Sequence, residues 1–359
     1  MNVVIPILGL TTHGGNRVLI QIANELVRSG HECTIVTSWA SADCPFSVDP
    51  RVAIERRGPR TAHKLLRWLY LLTILTWRMR GADAVLANHF LTAIPARLAV
   101  FAWKTRVLYL VQGIEYRAYA APWSNITEGL CRRTWRTGTL IAANPYLDDE
   151  LRRLGASPAF VLRLGVDEAF LTTPVADDER KLFDVVCMLR REHYKRADRL
   201  LEITRELMRL GRTVLCICPD AELAASHQAS FTQIARPDSD QALIALYDSA
   251  KIFLLTSDHE GFALPPLECM ARGLPPVMFP CGGPSVYARD GENCVVVGDA
   301  STDTAVTEIV SLLADVSRYA RLSERARATA RGYAMSPAVK ALMPVLLGEG
   351  YPSDRKSVV

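Results

Sequence analysis

Several common signals are missing from this sequence of 359 residues, and their absence narrows its class. The nine cysteines include no CxxC pair and lie mostly in apolar runs, which favours buried thiols in a reducing compartment over disulfides or zinc. No apolar run reaches the roughly 20 residues of a membrane-spanning helix. The N-terminus has no basic segment and is typical of a β-strand rather than a signal peptide. We therefore expect a cytoplasmic protein.

The turn after the first predicted strand contains Gly14 and Gly15 but lacks the full GxGxxG pattern, which argues against a dinucleotide-dependent dehydrogenase. Paired glycines before a helix can still bring the backbone close to a phosphate group, and the helix dipole favours that anion. The alternative is that both glycines only shape the turn. The pair is therefore a candidate ligand-binding feature that needs support from elsewhere.

Composition and charge indicate an ordinary globular protein with two different halves. Apolar residues make up 49% and charged residues 22%, and the length favours two domains. Residues 1–166 hold 20 Lys and Arg against 11 Asp and Glu, whereas residues 167–359 hold 22 against 27. A basic first half suits an anionic surface or acceptor, although simple solvated charge is the alternative. No nucleic-acid partner is expected.

Strand-like apolar runs alternate with helical patterns in both halves, which is typical of parallel α/β domains. The predicted strands are 2–8, 32–37, 84–87, 106–111, 139–143, 159–162, 183–188, 213–218, 251–256, 275–279 and 294–297. The predicted helices are 16–29, 61–80, 90–102, 124–136, 145–154, 196–210, 239–249, 264–272, 302–314 and 317–332. Residues 171–178 break both periods and predict a linker. We expect domains at 1–170 and 171–334, and a tail at 335–359 whose helix returns to the first domain.

The predicted helix at 61–80 combines basic and aromatic residues. Its apolar core runs from Leu65 to Trp77 and includes Arg67. Its basic residues are Arg60, His63, Lys64, Arg67, Arg78 and Arg80, and its amphipathic aromatic residues are Trp68, Tyr70 and Trp77. This composition is typical of helices that lie in a lipid interface, but a buried helix with a basic rim is the alternative. Peripheral contact with the inner membrane face is therefore an open possibility.

The segment from Glu260 to Glu268 carries the most specific chemistry in the second half. It follows the apolar strand 251–256, passes through a turn at Gly261, Phe262, Ala263 and Leu264, and enters a predicted helix. This arrangement presents backbone N–H groups to an anion. Glu260 lies before the turn, and Glu268 is expected in the first helical turn, so carboxylates that can accept bonds from sugar hydroxyls flank it. A nucleotide sugar fits such a site.

Two cations follow the first strand of the second half. Arg190 and Lys195 lie after residues 183–188, at the strand end that faces the ligand crevice in open α/β sheets. They could neutralise a diphosphate leaving group without a metal ion. No DxD metal-binding triplet lies in a matching place, so no metal and no other cofactor are expected. Arg191 and Arg196 are more typical of plain surface charge.

Together these motifs resemble the retaining glycosyltransferases of family 4, which have the GT-B fold. The family's EGFGLPxLEAMA-type run is matched from Glu260 to Ala271, with Ala263 and Cys269 as departures. Further matches are His13–Arg17 to its GG turn, Gly30–Thr34 to GHEVT, Leu164–Asp167 to NGVD, Arg190 and Lys195 to GR…KG, and Asp290–Asn293 to DGxNG. Leu189 and Arg196 replace the glycines of GR…KG. The resemblance extends from the first strand to about residue 332.

The resemblance implies two doubly wound Rossmann-like domains that face each other across a cleft. It further implies transfer of a hexose from a nucleoside diphosphate sugar, with Glu268 on the ribose and Glu260 on the sugar. Arg190, Lys195 and the 261–264 turn would hold the diphosphate. Gln112 occupies the position of a catalytic histidine found in many members, and either Gln112 or Glu115 would face the donor sugar.

We therefore predict a metal-independent hexosyltransferase that acts on a glycan or lipid-linked acceptor in polysaccharide or lipopolysaccharide assembly. The basic helix at 60–80 would suit such an acceptor. Three alternatives remain at this point: an epimerase of the same fold, a transferase for a soluble small-molecule acceptor, and a binding protein without turnover.

Overall fold

A computed structural model describes residues 1–10, 14–38, 46–58, 69, 73–103, 105–119, 122–175 and 181–350. The chain forms two compact units, residues 1–164 with 336–359, and residues 165–335. Each unit contains one parallel sheet with helices, so the α/β prediction with two Rossmann-like domains is confirmed. The division falls at 164/165 rather than at the predicted 170/171, because the backbone of Val166 bonds to that of Tyr333 and Met335.

The first unit is built on a sheet of seven described strands in the order β3-β2-β1-β4-β5-β6-β7. They are β1 Asn2–Ile7, β2 Glu32–Ser38, β3 Ala53–Arg57, β4 Ala84–Ala87, β5 Arg106–Val111, β6 Thr139–Ala142 and β7 Phe160–Val161. Most of their side chains are buried, as expected for a parallel sheet covered on both faces. The strand order reverses between β1 and β4, which creates the crevice typical of doubly wound sheets.

The helices of the first unit follow its strands. They are α1 Gly14–Arg28, α2 Phe90–Trp103, α3 Trp123–Thr134 and α4 Pro145–Arg153, and residues 73–78 are also helical. Asn144 caps α4 by accepting from the Leu147 N–H, and Pro145 occupies the first turn, where no N–H is required. None of the described helices is long and apolar enough to cross a bilayer.

The second unit has six described strands in the order β10-β9-β8-β11-β12-β13. They are β8 Phe183–Met188, β9 Val214–Ile217, β10 Gln233–Ala235, β11 Ala250–Leu255, β12 Pro276–Met278 and β13 Val295–Val296. Its helices are α5 Glu168–Thr172, α6 Ala197–Arg209, α7 Ala221–Ser226, α8 Asp240–Asp248, α9 Leu264–Ala271, α10 Thr302–Ala314 and α11 Val316–Arg331. Its strand order reverses between β8 and β11, so the loops after these strands border the crevice.

Two strands were absent from the prediction, and both lie at the edge of a sheet. The sequence of β3, from Ala53 to Arg57, contains three charged residues and no apolar run. The other strand, β10, has only three residues. Edge strands are short and often polar, so hydrophobic patterning gives little signal for them.

The last described helix, α12 (Met335–Leu347), belongs almost entirely to the first unit. The Arg106 guanidinium, at the start of β5, donates to the carbonyl oxygens of Val345 and Leu346. These carbonyls lie at the C-terminal end of α12, where the helix leaves its last acceptors unpaired and its dipole favours a cation. Arg106 thus links α12 to the first sheet.

Arg272 joins several segments of the second unit. Its side chain is fully buried and makes a two-pronged ion pair with Asp248 of α8, with distances of 2.8 Å for both nitrogens. It also donates to the carbonyls of Phe170, Thr173 and Pro174. A buried guanidinium requires such complete pairing, because each unmet donor would carry a desolvation cost. The residue following α9 therefore fixes both α8 and the segment that the sequence predicts as a linker.

Candidate functional site

Three loops meet at the carboxyl edge of the second sheet. They follow β8, β11 and β12, which are neighbours in that order. The Asp258 N–H donates to the Tyr194 carbonyl at 2.8 Å, which joins the first loop to the second. The Glu260 N–H donates to the Cys281 carbonyl at 2.7 Å, and the Gly283 N–H returns a bond to Glu260 at 3.0 Å. Glu260 therefore lies where the three loops are joined.

Lys195 and Glu260 form an ion pair at this junction. The Lys195 ammonium contacts both carboxylate oxygens, at 2.8 and 2.9 Å, and the Ser257 hydroxyl donates to one of them at 2.6 Å. The Glu260 side chain is 8% exposed and that of Lys195 is 27% exposed. Burial has the largest single effect and would lower the pKa of Lys195, but Glu260 together with Tyr194 and Glu192 raises that pKa overall. The lysine is thus fully charged, and it points at the carboxylate predicted to hold the sugar.

The turn from Gly261 to Leu264 is held in an unusual backbone conformation. Ala263 has φ 62°, in the left-handed region that favours glycine, and it precedes the first residue of α9. The Tyr287 hydroxyl donates to the Ala263 carbonyl at 2.7 Å. A Cβ on Gly283 would lie 2.5 Å from the Gly261 carbonyl, so only glycine permits this packing. The neighbouring loop therefore fixes the shape of the turn.

The sequence limits which backbone donors this turn can offer. Pro265 and Pro266 occupy the first turn of α9 and have no N–H groups. The donors that remain at this end of the helix come from residues 261–264. Binding of an anion by the backbone of the 261–264 turn stays a prediction.

The prediction that Glu268 lies in the first turn of its helix is wrong. The helix α9 begins at Leu264, as its two early prolines favour, so Glu268 is its fifth residue and lies in the second turn. The residue is 4% exposed, and one carboxylate oxygen accepts from the Tyr247 hydroxyl at 3.0 Å. An interaction with the dipole of α9 does not explain why this carboxylate is buried, so we favour another role for Glu268. Tyr247, which orients it, was not found from the sequence because 21 residues separate the two.

The other cations of the loop after β8 have different surroundings. Arg190 is half-buried, two residues beyond the strand. Arg191 is exposed and pairs outward with Asp220 and Glu222. Arg196 has φ 54°, in the left-handed region that favours glycine, and its guanidinium pairs with Asp198 and Asp258.

In the first unit, Gln112 lies against the start of α1. Its amide nitrogen donates to the Gly15 carbonyl at 3.2 Å. A Cβ on Gly15 would lie 3.2 Å from the Gln112 amide oxygen, so the glycine allows this close approach. Gly14 and Gly15 are the first two residues of α1. The structure thus brings together three of the predicted site residues of the first half.

Glu115 points into the interior of the first unit. Its carboxylate accepts from the Tyr109 hydroxyl at 2.8 and 2.9 Å and from the Cys131 thiol at 3.3 Å. Burial raises the pKa of Glu115 to about 7, although the bonds from Tyr109, Cys131 and the Phe90 N–H act to lower it. This glutamate holds the loop of residues 112–118 onto β5 and α3.

The basic aromatic stretch at 60–80 falls largely outside the described residues, including Arg60, His63, Lys64, Arg67, Trp68 and Tyr70. Trp77 is 63% exposed, and Arg78 pairs with Glu55 of β3. Across the described part of the chain, no group of three or more His, Cys, Asp or Glu side chains is arranged to hold a metal ion. Independence of a metal therefore stays a prediction.

Glu115→Gln is expected to stabilise the first unit at neutral pH. In wild type, the unfolded carboxyl ionises near 4.5 and the folded one near 7, so the free energy of unfolding falls as pH rises between these values. Glutamine removes this dependence. The variant's gain should be near zero below pH 4.5 and about 1–2 kcal/mol above pH 7, allowing for partial exposure.

Urea unfolding followed by tryptophan fluorescence measures this effect, because all six tryptophans precede residue 136 and report on the first unit. Glu150→Gln is the matched control. Partial burial acts to raise the pKa of Glu150, but Arg117 and Arg153 lower it overall. Wild type therefore gains stability from Glu150 as pH rises, and Glu150→Gln should become less stable relative to wild type over the same range. A difference between Glu115→Gln and wild type that does not change with pH would contradict the prediction.

Solved structures share this fold across nearly the whole chain. A sucrose-phosphate synthase from Thermosynechococcus elongatus superposes with a TM-score of 0.81 at 16% identity, covering 97% of this chain and 98% of that one. HepE of Anabaena, solved in complex with UDP-glucose, superposes with a TM-score of 0.77 at 13% identity, covering 97% and 100%. Identities this low show the shared fold alone, which is that of GT-B glycosyltransferases.

Curated relatives match shorter segments. A D-inositol 3-phosphate glycosyltransferase of Corynebacterium aurimucosum is 29% identical over 38% of this chain and 36% of its own length. The lipopolysaccharide core biosynthesis glycosyltransferase LpsE of Rhizobium meliloti is 33% identical over 26% of this chain and 27% of its own. The chain thus spans about a third of the length of the curated relatives it matches.

Two family models together account for most of the chain. Residues 12–170 match the model described as Glycosyltransferase Family 4, and residues 176–329 match the model described as Glycosyl transferases group 1. The first match lies on the first compact unit with the start of the second, and the second match lies within the second unit. The chain belongs to the glycosyltransferase family that these two models describe, as its sequence motifs indicate.

Proposed function

We propose that this protein is a retaining, metal-independent glycosyltransferase that moves a hexose from a nucleoside diphosphate sugar to a glycan or lipid-linked acceptor. The ion pair of Lys195 and Glu260 carries this proposal, because it places a cation suited to phosphate beside a carboxylate suited to sugar hydroxyls. HepE was solved with UDP-glucose, which supports the donor class. LpsE acts in lipopolysaccharide core biosynthesis, which supports polysaccharide or lipopolysaccharide assembly at the inner membrane face.

The diphosphate of the donor would contact the cations that follow β8. Negative charge grows on it as the sugar leaves, and the Lys195 ammonium with the Arg190 guanidinium would stabilise that charge. Donors of the 261–264 turn would add to them. The observed partner of Lys195 is Glu260, so an incoming phosphate would exchange one anionic partner of the ammonium for another. This exchange couples donor binding to the release of the Glu260 carboxylate.

The two carboxylates would then divide the remaining contacts. Glu268 would accept from the ribose hydroxyls, with Tyr247 holding its orientation. Glu260 would accept from a 3- or 4-hydroxyl of the sugar. A carboxylate offers about four acceptor sites, and Lys195 and Ser257 already use three on Glu260, so release of Lys195 makes room for the sugar.

The first unit would supply the acceptor site. We assign Gln112 rather than Glu115 to contact with substrate, because Gln112 lies at the N-terminus of α1 whereas Glu115 faces Tyr109 and Cys131. Glu115 would act through the loop that carries Gln112. Gly14 and Gly15 would let the backbone at the start of α1 approach the bound ligand.

A screen of UDP-, GDP-, ADP- and dTDP-sugars by thermal shift tests the donor class. A matching donor at about 100 Kd adds roughly 2.7 kcal/mol to the free energy of unfolding. With that donor and a lipid-linked glycan, transfer should persist in excess EDTA, and the product should keep the donor's anomeric configuration by NMR. Product formation from donor alone would favour an epimerase, and binding without any turnover would favour a silent binding protein.

Lys195→Ala should lower kcat/KM by at least about 30-fold. Loss of one partner from a desolvated charge pair costs roughly 2–5 kcal/mol, and 2 kcal/mol corresponds to that factor. Lys251→Ala is a matched control, since Lys251 also pairs with a carboxylate, Asp184, at 3.1 Å but lies at the opposite end of its strand. If Lys195→Ala stays within threefold of wild type, the diphosphate assignment is wrong.

The two glutamates should give different binding phenotypes. Glu268→Ala, and the milder Glu268→Gln, should weaken binding of the free nucleoside diphosphate at least about fivefold, since the ribose is part of that ligand. Glu260→Ala should leave this affinity within threefold, or tighten it by freeing Lys195, yet abolish transfer. Isothermal titration gives both affinities. Equal losses of nucleotide affinity in the Glu260 and Glu268 variants would refute the division of roles.

A further inference from the structure

The side chain of Ser257 contacts the Glu260 carboxylate from a buried position in the second unit. Ser257 lies two residues beyond β11 and is 1% exposed. Its hydroxyl donates to Oε1 of Glu260 at 2.6 Å, a length typical of a strong hydrogen bond to a charged oxygen. The Lys195 ammonium donates to the same oxygen at 2.8 Å and to Oε2 at 2.9 Å. Ser257 therefore occupies one oxygen of the carboxylate, whereas Lys195 bridges both.

The backbone around Ser257 and Glu260 is fixed by other contacts. The Thr256 hydroxyl donates to the Lys195 carbonyl at 3.1 Å, which holds the end of β11 against the loop after β8. The N–H and the carbonyl of Glu260 both bond to the loop after β12. With the backbone held on both sides, the orientation of the carboxylate depends on rotation of the Glu260 side chain. The bond from the Ser257 hydroxyl limits that rotation.

The contact with Ser257 becomes more important when the donor binds. In the proposed function the diphosphate takes the Lys195 ammonium, and Glu260 then loses both bonds from that cation. Among the hydrogen bonds to this carboxylate in the described part of the chain, the one from Ser257 would then remain. It would keep Oε1 occupied and leave Oε2 open to the sugar. A ligand-binding group whose rotamer is fixed by a neighbouring hydrogen bond recognises its ligand more precisely than a freely rotating group.

We propose that Ser257 is a positioning residue that sets the orientation of the Glu260 carboxylate and thereby selects the donor sugar by its 3- or 4-hydroxyl. The inference rests on the proposed function and deepens it, because it names the contact that makes Glu260 a directional acceptor. A site built to bond one hydroxyl strongly disfavours a sugar that lacks this group. Ser257 acts through Glu260 and does not itself touch the sugar.

A purely structural role for Ser257 predicts a different result. A buried hydroxyl requires an acceptor, and a backbone carbonyl is sufficient, as for Ser323 of α11. The Ser323 hydroxyl is also buried and donates at 2.7 Å to the carbonyl of Gly273, which lies beyond the end of α9 that is remote from the 261–264 turn. Ser323→Ala therefore removes a comparable bond from the same unit. If both hydroxyls are only structural, both alanine variants should lose stability without any change in sugar recognition.

Isothermal titration of the full chain with deoxy sugars tests the inference without an acceptor. The probes are UDP-, ADP- or dTDP-glucose or GDP-mannose, whichever wild type binds most tightly, and the 3-deoxy and 4-deoxy analogues of that donor. For wild type, one analogue should bind at least about tenfold more weakly than its parent, because it lacks a hydrogen bond to a charged group. In Ser257→Ala this ratio should fall below threefold, because the parent loses affinity whereas the deoxy analogue does not.

Two further variants separate orientation from stability. Ser257→Cys should give an intermediate ratio, because a thiol of similar size is a weaker donor than a hydroxyl. Ser323→Ala should keep the wild-type ratio. The free nucleoside diphosphate lacks the sugar, so its affinity should stay within threefold of wild type in all three variants. Circular dichroism and urea unfolding verify that each variant is folded.

The outcomes distinguish this inference from the proposed function. If wild type discriminates against a deoxy analogue and Ser257→Ala does so equally, the role of Ser257 is refuted and the proposed function stands. An equal loss of discrimination in Ser323→Ala would also refute it, since the effect would then follow from stability. If wild type binds the parent and both analogues equally, the assignment of Glu260 to the sugar fails, and the role of Ser257 fails with it. Binding of none of the donors would refute the proposed function itself.

Discussion

Every described strand pairs in parallel, and the positions of the candidate site residues in both units depend on this constraint. Parallel strands all end at one edge of their sheet, so the segments that follow them gather there. In the second sheet the strand order reverses between β8 and β11, which are neighbours, so the loops that follow these two strands meet at this edge. Lys195 follows β8 and Glu260 follows β11, so this topology brings them together across 65 residues of sequence.

The ion pair of Lys195 and Glu260 is well suited to exchange rather than to permanent stabilisation. Its members are largely removed from water, and the desolvation cost of such a pair offsets much of its Coulomb attraction. A phosphate anion would be the same kind of partner for the Lys195 ammonium, which is already largely removed from water. In the proposed function, the pair would keep two charges oriented and dehydrated before the donor binds, which is a form of electrostatic preorganisation.

The sequence allowed prediction of the α/β class, most strands and the segment from Glu260 to Glu268, because these depend on local periodicity and on one specific motif. It did not allow prediction of side-chain direction in irregular segments. Gln112 and Glu115 lie three residues apart in such a loop, and the contacts with Tyr109, Cys131 and the Phe90 N–H turn the glutamate inward. The predicted helix 264–272 begins where α9 does, and counting from Leu264 places Glu268, the fifth residue, in the second turn rather than the first.

Two departures from the family pattern place residues other than glycine in a backbone conformation that favours glycine. Arg196 and Ala263 occupy positions where the family has glycine, and both lie in the left-handed region. A side chain there costs roughly 1–2 kcal/mol, so the surroundings must supply the difference. Arg196 pairs with Asp198 and Asp258, and the Ala263 carbonyl accepts from Tyr287. Asp258 lies in the loop after β11, Asp198 lies in α6 and Tyr287 follows β12, so neighbouring segments hold the backbone around Lys195 and Glu260 in place.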